Sequence, residues 1–313
     1  MRVVTLGSEL SAADETGPFA AEHVGRLLRR LAYQAGRAAK TPHASEVHDL
    51  RVSIRRFTQA LAAFDSCFPA QELKRVRRSL KRIMDLAGDV RDCDIAIELL
   101  SKSKANPTAL VALFCKRRKD AERELADTLR RWSQRHSYRK WRAALEVDGQ
   151  GAISHDPIGI TAAQTLEPML REFVSLGKKA LRQEAAPKKI HRFRIAVKKL
   201  RYTFELFAPV YGVALDGWLE RIKALQAVLG TISDCETVRM MVERRGGDRR
   251  IECLFQRRVR RKLVEFRQAW ADAFTDPSMQ RVIGQLSPQA PRRPAAQAEP
   301  SVPEAARLRA AHA

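Results

Sequence analysis

Residues 48–57 read HDLRVSIRRF and residues 191–202 read HRFRIAVKKLRY. Projected at about 100° per residue, Leu50, Ile54, Phe57, Leu61 and Phe64 fall in one narrow sector, the mark of a helix face that packs on a core. His48, Arg51 and Arg55 stand at i, i+3 and i+7 and stack along a separate sector. In the second stretch His191, Arg194, Lys198 and Arg201 keep the same spacing, with Phe193, Val197, Leu200 and Phe204 on the apolar side. Like charges so placed destabilise an isolated helix by about 0.2–0.5 kcal/mol per pair, so something outside the helix must offset the repulsion. A run of charge is ordinarily a solvated face. One angular register kept twice in one chain points instead to an anion gripped from two sides.

The repetition extends beyond the stripes. LAGDVRDCD aligns with VLGTISDCE, placing Gly88 on Gly230, and LFCKRR aligns with LFQRRV, placing Phe114 on Phe255, at nearly the offset that relates His48 to His191. A period this long exceeds the roughly 20–50 residues of a solenoid repeat and reads as duplication of a whole bundle. Helical periodicity runs from about Pro18 to Leu286, and strand-like alternation is almost absent. Breaks rich in Gly, Pro, Asn and Ser predict helices over 18–40, 45–66, 71–101 and 108–146, then 158–184, 188–208, 214–243 and 249–285. The expected fold is therefore all-α: two pseudo-symmetric four-helix bundles around a basic central groove or pore. Residues 1–17 form an N-terminal extension, 18–147 the first half, 148–157 the linker and 158–286 the second half. Residues 287–313, rich in Pro and Ala, read as a disordered tail.

Bulk composition narrows the partners. The 313 residues carry 58 Lys and Arg against 36 Asp and Glu, a formal charge of +22, with 45% hydrophobic residues. Such an excess attracts polyanions: nucleic acid, inorganic polyphosphate or an anionic membrane surface. Cys67, Cys93, Cys115, Cys235 and Cys253 show no CxxC spacing and read as reduced core thiols. No leader-like N-terminus and no apolar run near the roughly 18 residues of a membrane span are evident, so a soluble cytoplasmic protein is expected.

Further basic positions accompany the stripes. Arg77 and Lys81 flank the core face of the following helix, with Lys223 matching Lys81. Lys116 and Arg117, and Arg257 and Arg258, form a matched pair in the last helix of each half. Asp92 and Asp234 are matched acids, and anchoring an arginine suits them better than contact with a ligand. The cluster of convergent His, Cys or carboxylate ligands that a metal needs is missing, as is a Gly-rich phosphate loop, so neither metal, cofactor nor catalysis is expected.

The duplicated H-x-x-R-x-x-x-[RK]-[RK] stripe, each copy followed by a Gly-x-x-x-Asp element (Gly88 to Asp92, Gly230 to Asp234), resembles the CHAD domain, the conserved histidine alpha-helical domain, over residues 18–285. The chain lacks the alternating Glu-x-Glu-x-Lys strands of triphosphate tunnel enzymes and so resembles a stand-alone form. The resemblance implies inorganic polyphosphate as ligand and polyphosphate granules as location. It maps the contacts to His48, Arg51, Arg55, Arg56, His191, Arg194, Lys198, Lys199 and Arg201, with Lys81 and Lys223. Thr58 stands where the second stripe has Arg201, which shortens the first grip. Polyphosphate offers only anionic oxygens, which Arg meets bidentately and Lys as a point charge. If the histidines touch it, binding strengthens as pH falls toward 6.5. Nucleic acid is the second choice of partner, and a granule or membrane-surface scaffold the third. Single-strand binders stack bases on exposed rings, and only Tyr202 follows directly on a stripe; Trp132, Trp141, Trp218 and Trp270 read as core or bundle-end residues.

Overall fold

The computed structural model describes residues 11–103, 107–145, 154–182 and 186–274, together with Gly284. Among them run nine α-helices: α1 Thr16–Lys40, α2 Ala44–Ala63, α3 Ala70–Ser101, α4 Thr108–Gln134, α5 Ser137–Ala144, α6 Ile158–Ala180, α7 Pro187–Tyr211, α8 Asp216–Glu243 and α9 Arg249–Ala273. The helix sectors drawn above are the ones buried: Leu50, Ile54, Phe57, Leu61 and Phe64 of the first half, and Phe193, Val197, Leu200 and Phe204 of the second, are all 2% exposed or less. Helices α1 to α4 close a ring of contacts, α1 on α2, α2 on α3, α3 on α4 and α4 on α1. In the other half α7 packs on α6 and α8, and α8 on α9. The ring is completed by Trp270 of α9, which stacks on Phe173 of α6 at 5.3 Å. Gly177 is required there, because a Cβ would lie 2.1 Å from the Trp270 ring.

The halves join through α2 against α7 and α3 against α8, the helices that carry the stripes and the Gly-x-x-x-Asp elements. Phe64 meets Phe207 edge to face at 5.7 Å, and Gln59 Nε2 donates to Thr203 Oγ1 at 3.0 Å. Buried side chains form one continuous core across this joint. The end of the expected linker ties the two halves together: Thr16 N–H donates to the Asp156 carbonyl at 2.9 Å and Ile158 N–H to that of Asp14 at 2.8 Å.

Three expectations are corrected. The helix expected over 108–146 breaks at His136, whose φ of 53° lies in the left-handed region. The reversal lets α5 fold back, so that Trp141 packs edge to face on Trp132 at 5.4 Å and Leu145 is fully buried. Burial of these residues outweighs the cost of one non-glycine left-handed residue. The first helix starts at Thr16, so residues 16 and 17, assigned to the extension, belong to α1. Not every cysteine is a core thiol: Cys67, Cys93 and Cys235 are buried, whereas Cys115 is half-buried and Cys253 is exposed. Residues 1–10 of the extension, 148–153 of the linker, the tail at 287–313 and most of the expected end of α9 lie outside the described residues.

Candidate functional site

A cleft of about 490 Å³ opens where α2 and α7 meet beside α3. Its cations are Arg51 and Arg55 of α2, Arg77 and Lys81 of α3, and Arg194, Lys198 and Lys199 of α7, with His191 beside them, and no carboxylate lines it among the described residues. Both stripes thus turn toward one space. The floor is the underside of the core, with Ile54, Leu80 and Tyr202 nearly buried.

Packing this charge together has electrostatic consequences that rest on named neighbours. Burial pushes the Lys198 ammonium down from its ordinary 10.5 to about 6, helped by repulsion from Arg194, Arg55 and Arg51 and opposed by Asp234. The Arg51 guanidinium is pushed down to about 10, again first by burial and then by Arg55. Arg194 is lowered by burial, against the attraction of Asp234. His48 and His191 both fall below 6.5, through partial desolvation and then the nearest cations: Arg91 for His48, Arg194 and Lys198 for His191. Each shift reports that a positive charge is disfavoured where water is scarce and other cations are close.

Local structure explains how the arginines are held. Arg51 Nη1 donates to the Met84 carbonyl at 3.1 Å. It lies over Gly88, where a Cβ would come within 3.1 Å of it. The first Gly-x-x-x-Asp element is therefore a seat for Arg51. Asp92 and Asp234 meet across the α3 and α8 joint; burial raises both carboxyls, while Arg51 lowers the first and Arg194 the second. Asp234 stands 3.9 Å from Arg194, Asp92 acts on Arg51 through its charge, and neither carboxylate lines the cleft. Arg77 Nη2 donates to the Leu61 carbonyl at 2.7 Å, one of the carbonyls that the last turn of α2 leaves without a helical partner.

The remaining candidates stand elsewhere. His48 lies on the same helix as Arg51 but does not line the cleft; its strongest charged neighbour is Arg91. Arg56 and Arg201 share Glu205: Arg56 Nη2 lies 3.0 Å from Oε2 and Arg201 Nη1 2.7 Å from Oε1. The Arg201 guanidinium also covers the Tyr202 ring at 4.4 Å. Lys223 is paired with Glu220 at 2.7 Å. Lys116 and Arg117 are exposed on α4. Arg257 and Arg258 line a different depression on α9. Arg91 escaped the sequence reading because its counterpart is Ser233, so matching the two halves discards it. Tyr202 is 5% exposed and offers no free face to a base.

Among the described residues no His, Cys, Asp and Glu cluster could hold a metal ion, and no helix is long and apolar enough to cross a membrane.

Fold and cleft together define an all-helical protein that gathers cations from two facing helices into one space. The family model for the CHAD domain matches residues 12–243, and the chain belongs to that family. The match ends at Glu243, before α9. The fold is similar to the crystal structure of the CHAD domain from the plant Ricinus communis, at 18% identity and a TM-score of 0.62, covering 91% of this chain and 96% of that one. It is also similar to PptA from Streptomyces chartreusis, at 16% identity and a TM-score of 0.60, covering 82% and 99%. No curated protein matches the sequence.

Proposed function

We propose that the cleft binds inorganic polyphosphate, without turning it over, and that this binding brings the protein to polyphosphate granules. One observation carries the reading: Arg51, Arg55, Arg194 and Lys198 converge from two helices on a space that no carboxylate lines. Cationic groups that Asp92 and Asp234 only partly compensate, gathered at a cost to the fold, make sense when an anion supplies the missing partner. A chain of phosphates presents anionic oxygens to both walls at once, and charge-assisted hydrogen bonds to them are the strong kind. Phosphoryl transfer would call for a bound metal or an equivalent clamp and a residue to position the nucleophile; among the described residues, the side chains lining the cleft supply cations, the His191 imidazole, Thr58, Gln59 and Tyr202, and no carboxylate to hold a metal. The burial of Tyr202 weighs against the stacking that a single-strand nucleic-acid binder uses.

Calorimetry with long-chain polyphosphate tests the reading, with single-stranded and duplex DNA as competitors at matched phosphate. An Arg51→Ala/Arg194→Ala variant is compared after circular dichroism shows it folded. Binding that DNA does not displace and that falls about 100-fold or more in the variant is expected, given about 1.5–3 kcal/mol per charged hydrogen bond. Equal displacement by DNA, or an unchanged variant, overturns it. Recruitment of a fluorescent fusion to granules in cells that make polyphosphate, lost in cells that do not, tests the location.

A further inference from the structure

Away from the cleft, Arg249, Arg250, Arg257, Arg258 and Arg261 of α9 line a shallow depression of about 950 Å³, with Cys253 in its midst. At about 1.5 Å per residue, the run from Arg250 to Arg261 spans roughly 16 Å along one side of the helix. Some exposed arginines elsewhere sit one turn from a carboxylate, as Arg75 does with Glu72, Arg123 with Asp120 and Arg171 with Glu167, while others such as Arg29 and Arg78 have no ion pair among the described residues; on α9 five arginines stand together around one depression. The five on α9 make no side-chain ion pair or hydrogen bond among the described residues, and the Arg258 Nε is buried without a partner. Of the nearby carboxylates, Glu98 feels the charge of Arg258 but bonds Lys102 at 2.8 Å, and two others are turned to the start of the helix. Asp248 Oδ1 accepts from the Arg250 and Ile251 N–H groups at 2.8 and 3.3 Å. Glu252 Oε1 lies against Gly247, 2.8 Å from where a Cβ would stand. The depression shares no residue with the cleft and lies beyond the stretch that the family model matches.

We infer that this face of α9 is a second, separate binding site for a phosphate chain. The five cations here are all arginine, the residue whose fork grips phosphate oxygens in pairs. Four of them are exposed and Arg258 is half-buried, so solvent and salt screen this site more than the cleft and it binds more weakly. Polyphosphate as the occupant rests on the reading of the cleft proposed above. Two sites per molecule let one long chain bridge neighbouring molecules, which raises avidity without a new contact.

Cys253 reports occupancy of the α9 face directly. Its alkylation by iodoacetamide, a neutral reagent, is followed by peptide mass spectrometry on the full chain with and without long-chain polyphosphate. Three proteins are compared: the wild type, Arg51→Ala/Arg194→Ala, and Arg250→Ala/Arg257→Ala/Arg261→Ala. Polyphosphate should slow the reaction several-fold in the first two and leave it unchanged in the third, which keeps its tight phase in calorimetry. Absence of protection in the wild type, protection that survives in the α9 variant, or loss of protection in the cleft variant overturns the separate site. Duplex DNA that protects Cys253 as well at matched phosphate overturns polyphosphate as its occupant. Should the cleft variant bind as tightly as the wild type while the α9 variant loses protection, the cleft reading falls and the α9 site stands.

Discussion

Arg194 Nη2 lies 3.9 Å from Asp234 Oδ1, at the outer limit of an ion pair, and the Arg194 Nε is buried with no partner at all. The anchor is therefore loose. Asp234 tempers the cluster without neutralising it, and burial raises its own carboxyl. Asp234→Asn removes the negative charge nearest to Arg194 and Lys198, so the cleft's potential for anions rises. The expected outcome is polyphosphate affinity about three- to tenfold tighter, the equivalent of about 0.7–1.4 kcal/mol, measured by calorimetry at moderate salt. Affinity unchanged or weakened would mean that Asp234 orients Arg194 for the ligand.

Lys198 makes binding consume protons. With its pKa near 6 the amine is mostly neutral in the free protein at pH 7.5. A phosphate beside it favours the ammonium form, so the group takes a proton from the buffer as the ligand arrives. The observed enthalpy should change with the ionisation enthalpy of the buffer, with a slope approaching one proton. Affinity should fall as pH rises from 6 to 8. His191, which lines the cleft, lies below its ordinary 6.5 through burial and then Arg194 and Lys198, so it adds to uptake at the acid side of that value. In Lys198→Met the slope at pH 7.5 should largely vanish.

The same lysine taxes the fold. A base whose folded pKa lies below its unfolded value opposes folding when protonated; the penalty is complete below the folded pKa and disappears as pH rises toward the unfolded one. For Lys198 that window runs from about 6 to 10.5. Lys198→Met should therefore raise the melting temperature, by about 2–4 °C for each kcal/mol relieved. The gain should be larger at pH 6 than at pH 9, in a thermal scan without ligand. Stability gained where binding is lost is the expected trade at a functional site.

Much of this was legible in the residues. Apolar spacing in α2 and α7 showed which sector each helix would bury, because burial of a stripe follows from period alone. Spacing also put Arg51, Arg55, Arg194 and Lys198 on one charged sector of each helix, and the cleft contains all four. What period does not convey is how one helix is rotated and shifted against its partner. Arg201 continues the stripe by register, yet it pairs with Glu205 one turn on in α7, and only the packing of α2 against α7 brings Arg56 to that same carboxylate. The break at His136 was hidden because the amphipathic pattern continues through Trp132 and Trp141; only their packing on each other shows that the chain has reversed.

Arg201 should prove structural. With its side chain 14% exposed, paired to Glu205 and lying over the Tyr202 ring, it leaves a half-buried carboxylate with one arginine fewer when removed. Arg201→Ala should destabilise the protein by about 1–3 kcal/mol in urea unfolding. Polyphosphate affinity, measured where the variant is fully folded, should change less than about twofold, or under about 0.4 kcal/mol. A large loss of affinity with little loss of stability would return Arg201 to the ligand.

The matched glycines Gly88 and Gly230 separate function from fold most sharply. A Cβ at Gly88 would press on the Arg51 guanidinium at 3.1 Å, while one at Gly230 meets nothing within 4 Å. Both lie inside helices, where alanine is favoured over glycine by roughly 0.5–1 kcal/mol. Gly230→Ala should therefore stabilise the protein by about that amount and leave binding as it was. Gly88→Ala forces Arg51 off its seat and strains its bond to the Met84 carbonyl, so it should forfeit the stability gain and weaken polyphosphate binding several-fold. Paired urea titrations and calorimetry on the two variants check this. Equal behaviour of the two would mean that the glycine seat does not position Arg51, and that the charge of the cleft alone accounts for its affinity.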